Sequence, residues 1–201
     1  MSVETLKRPA VPVLPWKRMD GLVKRNATYA DLDGVPENKV AELIDGNLYI
    51  HNRPRVPHAH AVGELYLELG RAHRDRQKGW VILLEVEIWM TRKRTTVLVP
   101  DLAGWRRERL PHAPNVQTIE VLPDWVCEGL SPSTARHDKG RKLEVYARNK
   151  IPHVWYVDPK FKTVEMLAFA RGSYRIAQIA GGNDRGVYAP FTHEIDLSML
   201  W

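Results

Sequence analysis

Asp124-Trp125-Val126-Cys127-Glu128-Gly129-Leu130, followed at once by Ser131-Pro132-Ser133-Thr134, is the stretch that decides the fold. The first seven residues read as a central strand. Glu128 interrupts its apolar run, and a carboxylate buried there without a partner is costly, so a cation is expected beside it. The Ser-Pro-Ser-Thr cluster suits the start of a helix, which is expected to run to about Asn149 with Leu143, Tyr146 and Ala147 as its apolar stripe. A hydrophobic strand over 154–158 follows, and Pro159 stops it.

Working back from this stretch, residues 81–89 and 95–101 read as two strands by their β-branched content, with the basic loop Arg92-Lys93-Arg94 between them. Pro100 halts the second ladder and leaves Asp101 at the sheet rim, where sites are built. Upstream, Val62, Leu65, Leu69 and Ala72 recur at three- and four-residue steps, predicting a helix from His58 to about Gln77. Before it, 40–50 reads as a β-hairpin turning at Asp45-Gly46. Beyond the fourth strand, 163–168 and 174–179 form a further hairpin around Gly172. The order helix, strand, strand, strand, helix, strand predicts an α/β fold with a mixed central sheet.

Length and composition place bounds on the chain. With 201 residues, 44% of them hydrophobic and 27% charged, it fits one globular domain with a real core and is neither fibrous nor membrane-embedded. Residues 1–28, rich in Pro and basic side chains, read as an irregular arm before a single domain over 29–201. One cysteine, Cys127, makes no intramolecular disulfide and no thiolate zinc site, so a reducing compartment, the cytoplasm, is the expected address. No window approaches the roughly 18 apolar residues of a membrane span. The net charge of +6 comes with clusters at 71–78, 92–94, 106–109 and 136–141, which favour a polyanionic partner, although for any one cluster alone a solvated face is the plainer reading.

Asp101 and Glu128 together supply what a hard divalent ion requires, carboxylate oxygen from one or two side chains with water and substrate phosphate completing the shell. Lys142, beside the buried stripe of the second helix, is the lysine expected to orient a nucleophile or shield the phosphate. Lys139, about one turn earlier, is its rival, and an exposed pair with Asp138 is the plainer role for Lys142.

These residues resemble the Uma-two family of restriction-endonuclease-like proteins, within the PD-(D/E)XK nuclease superfamily. The likeness is carried by Glu42-Leu43-Ile44-Asp45-Gly46, by His58 with Val62 and Leu65, by Pro100-Asp101, and by Glu128-Gly129-Leu130-Ser131-Pro132-Ser133-Thr134. Asp138, Lys142, Tyr146 and the run Ile151-Pro152-His153-Val154-Trp155-Tyr156-Val157-Asp158-Pro159 extend it, over roughly residues 28–201. The resemblance implies an αβββαβ core and a Mg²⁺- or Mn²⁺-dependent endonuclease acting on DNA, with RNA left open. It implies Asp101 and Glu128 as metal ligands and Lys142 as the third catalytic group. Glu42 and His58 match family positions as accessory groups near the metal, with Lys139 and Tyr146 beside them, and Arg92, Lys93, Arg94 and Arg136 are expected to grip nucleic acid. A homodimer is expected, because cutting both strands takes two sites.

Two positions depart from the pattern. Leu130 stands where the superfamily motif has lysine, and similar family members supply that lysine from the following helix. Gly129 replaces a β-branched residue and is expected to loosen the strand. The alternative is therefore a catalytically weakened or inactive nucleic-acid-binding or regulatory module of the same fold. A histidine metal protein built on His51, His58 and His60 has no third ligand at metal spacing, and a serine hydrolase through Ser131 has no nucleophile elbow.

Overall fold

The structure, a computed structural model, describes residues 21–74 and 79–201, the side chains of 71–74 excepted. Two mixed six-stranded sheets carry it. The central sheet has the order β12-β11-β10-β9-β7-β4, formed by β4 (Trp80–Leu84), β7 (Leu102–Arg106), β9 (Trp125–Gly129), β10 (His153–Asp158), β11 (Thr163–Ala170) and β12 (Ser173–Gly181). Its neighbours are antiparallel except β9 and β10, which run parallel. With α1 (Val56–Arg74) ahead of β4 and a helical run between β9 and β10, the order is αβββαβ, as the sequence predicts.

The period of two along β9 sorts its side chains. Trp125 and Cys127 face α1, meeting Ala61, Val62, Leu65 and Leu69, while Val126 points to the opposite layer with Val145 and Tyr146. Glu128 shares the face of Val126, and this alternation aims it at the second helix. Leu65 and Leu69 are fully buried, each contributing roughly 1.5–3 kcal/mol by removal from water. Trp125, Trp155 and Phe191 meet edge to face beneath the sheet.

The second sheet has the order β1-β3-β2-β6-β5-β8. It contains β1 (Gly21–Arg25), β2 (Lys39–Ile44), β3 (Asn47–Asn52), β5 (Glu87–Trp89), β6 (Val97–Leu98) and β8 (Thr118–Ile119). The expected hairpin is β2–β3, turning at Asp45 and Gly46, both with positive φ, as a two-residue turn demands. A third, two-stranded sheet joins β13 (Arg185–Val187) to β14 (Glu194–Asp196).

The structure corrects the sequence reading in several places. Residues 81–89 are two strands in different sheets, because Glu85 adopts φ +45° and turns the chain from one sheet into the other. Of 95–101 only Val97–Leu98 is a strand, and it belongs to the second sheet. The middle strand of the core is β7, so Asp101 precedes a core strand where it was expected to close one. The arm expected to be irregular to residue 28 contains β1, which pairs with β3; residues 1–20 and the basic cluster at 71–78 lie outside the described side chains. The second helix comprises α2 (Ala135–His137), a π-helical turn at Asp138–Lys142, and α3 (Leu143–Arg148). Such wide turns are frequent at functional sites, and this one buries both Asp138 and Lys142.

Candidate active site

Four carboxylates and one ammonium line a single cavity of about 320 Å³ between the two sheets and the helical run. Glu42 comes from β2, Asp101 from the residue before β7, Glu128 from β9, and Asp138 and Lys142 from the π-helical turn. Asp101 precedes the register pair Leu102↔Cys127, which sets it beside Glu128 at the same end of the sheet.

Lys142 is 3% exposed, and its Nζ lies 2.8 Å from the Glu128 carboxylate, 3.0 Å from Glu42 Oε1 and 3.9 Å from Asp138. It also donates to the Val99 carbonyl at 3.3 Å. Burial works against the charged amine, but Glu128, Glu42 and Asp138 outweigh it and raise its pKa well above the ordinary lysine value. Lys142 is therefore an ammonium at neutral pH.

Burial also acts on the acids, with unequal results. For Glu42 it is overcome by Lys142, by His137 and by the Val99 N–H, which donates to Oε1 at 2.8 Å, and the pKa falls to about 2. Glu128 stays well above the carboxylate range: burial pushes it up, Lys142 opposes, and Asp138, Asp101 and Glu42 add repulsion. Tyr146 donates its hydroxyl to Glu128 Oε1. Asp138 is pushed up by burial to about 6.

Asp101 accepts the Gly129 N–H at 2.7 Å through Oδ2, and its Oδ1 lies 2.9 Å from His58 Nε2. Burial disfavours the His58 imidazolium, yet the contact with Asp101 outweighs it and the pKa is raised. His58 rests directly on Gly129, where an added Cβ would stand 2.5 Å from Nε2. Gly129 thus makes room for His58. On one edge β10 pairs with β9 as far as Gly129, whereas on the other the β7 ladder stops at Cys127, before Glu128 and Gly129, and the Gly129 N–H goes to Asp101 instead.

The sequence matches the Uma2 family, described as "Putative restriction endonuclease", over residues 27–199. The chain belongs to this family. Among solved structures, a "putative nuclease belonging to DUF820" from Anabaena variabilis shares the Uma2 chain's fold. The two are 17% identical, with a TM-score of 0.68 over 86% of this chain and 96% of that one. No curated protein matches. Membership of Uma2 supports a nuclease.

The two lysines lie in different places. Lys139 pairs with Glu165 on β11 and lies over the Tyr156 ring, directed away from the cavity lining, whereas Lys142 enters it. The pair with Asp138 exists, but it is buried where the plainer reading had it exposed. Glu42, His58 and Tyr146 all meet the site. Arg92 and Arg94 line a separate cavity, with Arg94 paired to Glu120 at 2.7 Å; Lys93 lines neither, and Arg136 lies by an adjoining pocket with His51 and His137.

Several site residues escaped the sequence reading. His137 lies 3.1 Å from Glu42 Oε2, beside His51, which the sequence reading named only with His58 and His60 and which lines the cavity. Arg53 and Arg55 stand at the mouth, Arg53 held by Glu85 at 2.6 Å. Arg53 and Arg55 straddle Pro54, just ahead of the predicted helix, which was the available signal. His60, offered with His51 and His58 as a possible metal trio, is half exposed and faces Glu64 at 3.9 Å.

Proposed function

We propose that this chain is a metal-dependent endonuclease that hydrolyses phosphodiester bonds of DNA. The observation that carries the reading is the meeting of Asp101, Glu128 and Lys142 in one cavity, where four carboxylates face one ammonium. The donors are hard oxygens, and burial, together with repulsion from Asp138, Asp101 and Glu42, pushes Glu128 up in spite of Lys142. Both features suit Mg²⁺ or Mn²⁺.

Asp101 and Glu128 are the residues that would hold the ion. When bound, it supplies an acidified water and neutralises charge on the phosphate. Lys142, fixed as an ammonium, does not act as the general base. It orients the nucleophile or a phosphate oxygen and stabilises developing negative charge. Tyr146 keeps its proton, because burial and Glu128 push its pKa well up, and so it fixes the Glu128 carboxylate. His58 and the Gly129 N–H fix Asp101 in the same way. Arg53 and Arg55, at the mouth, are placed for flanking phosphates. A homodimer would bring two such sites to the two strands of a duplex.

The test is nicking of supercoiled plasmid with Mg²⁺ and with chelator, by wild type beside Asp101→Ala and Lys142→Ala. Metal-dependent nicking by wild type, lost in both variants, is expected. Equal cleavage by all three would discard the site. Binding of DNA by wild type without cleavage would favour the alternative, a binding or regulatory module.

A further inference from the structure

We infer that Glu42, His51 and His137 form a second divalent-metal site, selective for a borderline transition ion such as Zn²⁺ and separate from the one at Asp101 and Glu128. One donor atom from each of the three lies within 4.8 Å of the other two. Donors around a tetrahedral zinc stand ~3–3.5 Å apart, so side-chain rotation of about an ångström closes the set.

The fold delivers the three ligands from three elements, β2, β3 and α2. In the β2–β3 register Glu42 faces Tyr49 and Val40 faces His51, so Glu42 and His51 are diagonal neighbours on one face of the hairpin. His137 comes across from the end of α2, its ring 4.5 Å from that of His51 and 5.0 Å from that of Tyr49, with Nε2 at 3.1 Å from Glu42 Oε2. All three are nearly buried, at 2%, 7% and 9% exposure. His51 lines the main cavity and also the adjoining pocket it shares with His137, which gives an ion a route in.

The chemistry separates this site from its neighbour. Two imidazoles and one carboxylate favour zinc and its transition-metal relatives, whereas an oxygen-only set suits Mg²⁺. Glu42 divides its oxygens between the two: Oε1 holds Lys142 and the Val99 N–H, and Oε2 faces His137. An ion here would staple the hairpin to the end of α2 and fix the carboxylate that positions Lys142. The inference stands independently of the nuclease reading.

The experiment is competition for Zn²⁺ against a chromophoric chelator, using the full chain as wild type, Asp101→Asn, His51→Asn and His137→Asn. Wild type and Asp101→Asn are expected to bind one ion with the same affinity, undisturbed by excess Mg²⁺. Each histidine variant should lose at least ~10-fold, the loss already usual when a group that merely supports a ligand is removed. Unchanged affinity in both histidine variants, loss in Asp101→Asn alone, or no binding by wild type overturns the site. Should the histidine variants fail to fold, the Co²⁺ absorption spectrum of wild type decides. An imidazole-bearing spectrum that Mg²⁺ does not displace supports the site, and a six-coordinate oxygen spectrum that Mg²⁺ abolishes refutes it.

Discussion

The Lys142 ammonium lies 2.8 Å from the Glu128 carboxylate, although 14 positions separate the two residues and one stands on a strand, the other in a π-helical turn. Two residues beyond Glu128, where the resemblance noted in the sequence would put a lysine, the chain has Leu130, and Leu130 belongs to the core around Tyr146.

Replacing Lys142 with Met leaves Glu42 and Glu128 buried without their shared cation. Removing one partner of a buried ion pair costs about 3–5 kcal/mol, so Lys142→Met should lose that much in urea unfolding. The triple change Glu42→Gln, Glu128→Gln, Lys142→Met should recover most of it. A single variant within about 1 kcal/mol of wild type would show that the triad does not hold the fold together.

The contact of His58 with Gly129 predicts a coupled pair. In Gly129→Ala the new Cβ meets the imidazole, and overpacking of this kind costs roughly 1–3 kcal/mol. With His58→Ala in the background the same change should cost much less. A double-mutant cycle in denaturant measures the coupling, and additive losses would exclude the steric account.

Asp138 sets a pH dependence of definite sign. Its pKa is raised by burial from 3.8 to about 6, so the folded chain binds this proton more tightly than the unfolded one. Stability from this group is complete below about pH 4 and is lost as pH rises through about 6. Asp138→Asn should therefore match wild type near pH 4 and exceed it at about pH 7.5, by on the order of 1–3 kcal/mol. Urea midpoints at the two pH values test this, and a gap of the same size at both contradicts it.

Arg55 is exposed at the cavity mouth, whereas Arg94 is tied to Glu120 and lies 5.6 Å over the Trp89 ring, at a different cavity. In the Asp101→Asn background, Arg55→Ala should weaken DNA binding and lower the magnitude of the salt slope by about 1, and Arg94→Ala should do neither. Fluorescence anisotropy at several salt concentrations reads both. Equal effects of the two changes would place the nucleic acid elsewhere.

Glu128 was legible because a carboxylate inside Trp125-Val126-Cys127 demands a partner whatever the surrounding fold. The αβββαβ order, the β2–β3 turn at Asp45-Gly46 and the strand after Ile151 were legible for a similar reason: apolar periodicity and turn chemistry are local, and local patterns survive in one dimension. What local pattern could not give was the sheet change at Glu85, since nothing about a glutamate announces a left-handed backbone, or the shift of the core strand from 95–101 to Leu102–Arg106. The sequence by itself determined the core order, the acidic pair and a lysine on the second helix. Only the tertiary structure brought Lys142 rather than Lys139 to Glu42, carried His137 across to the same carboxylate, and explained Gly129 by the ring resting on it. Those are contacts between residues dozens of positions apart, fixed by sheet register and by a widened helical turn, and no spacing along the chain encodes them.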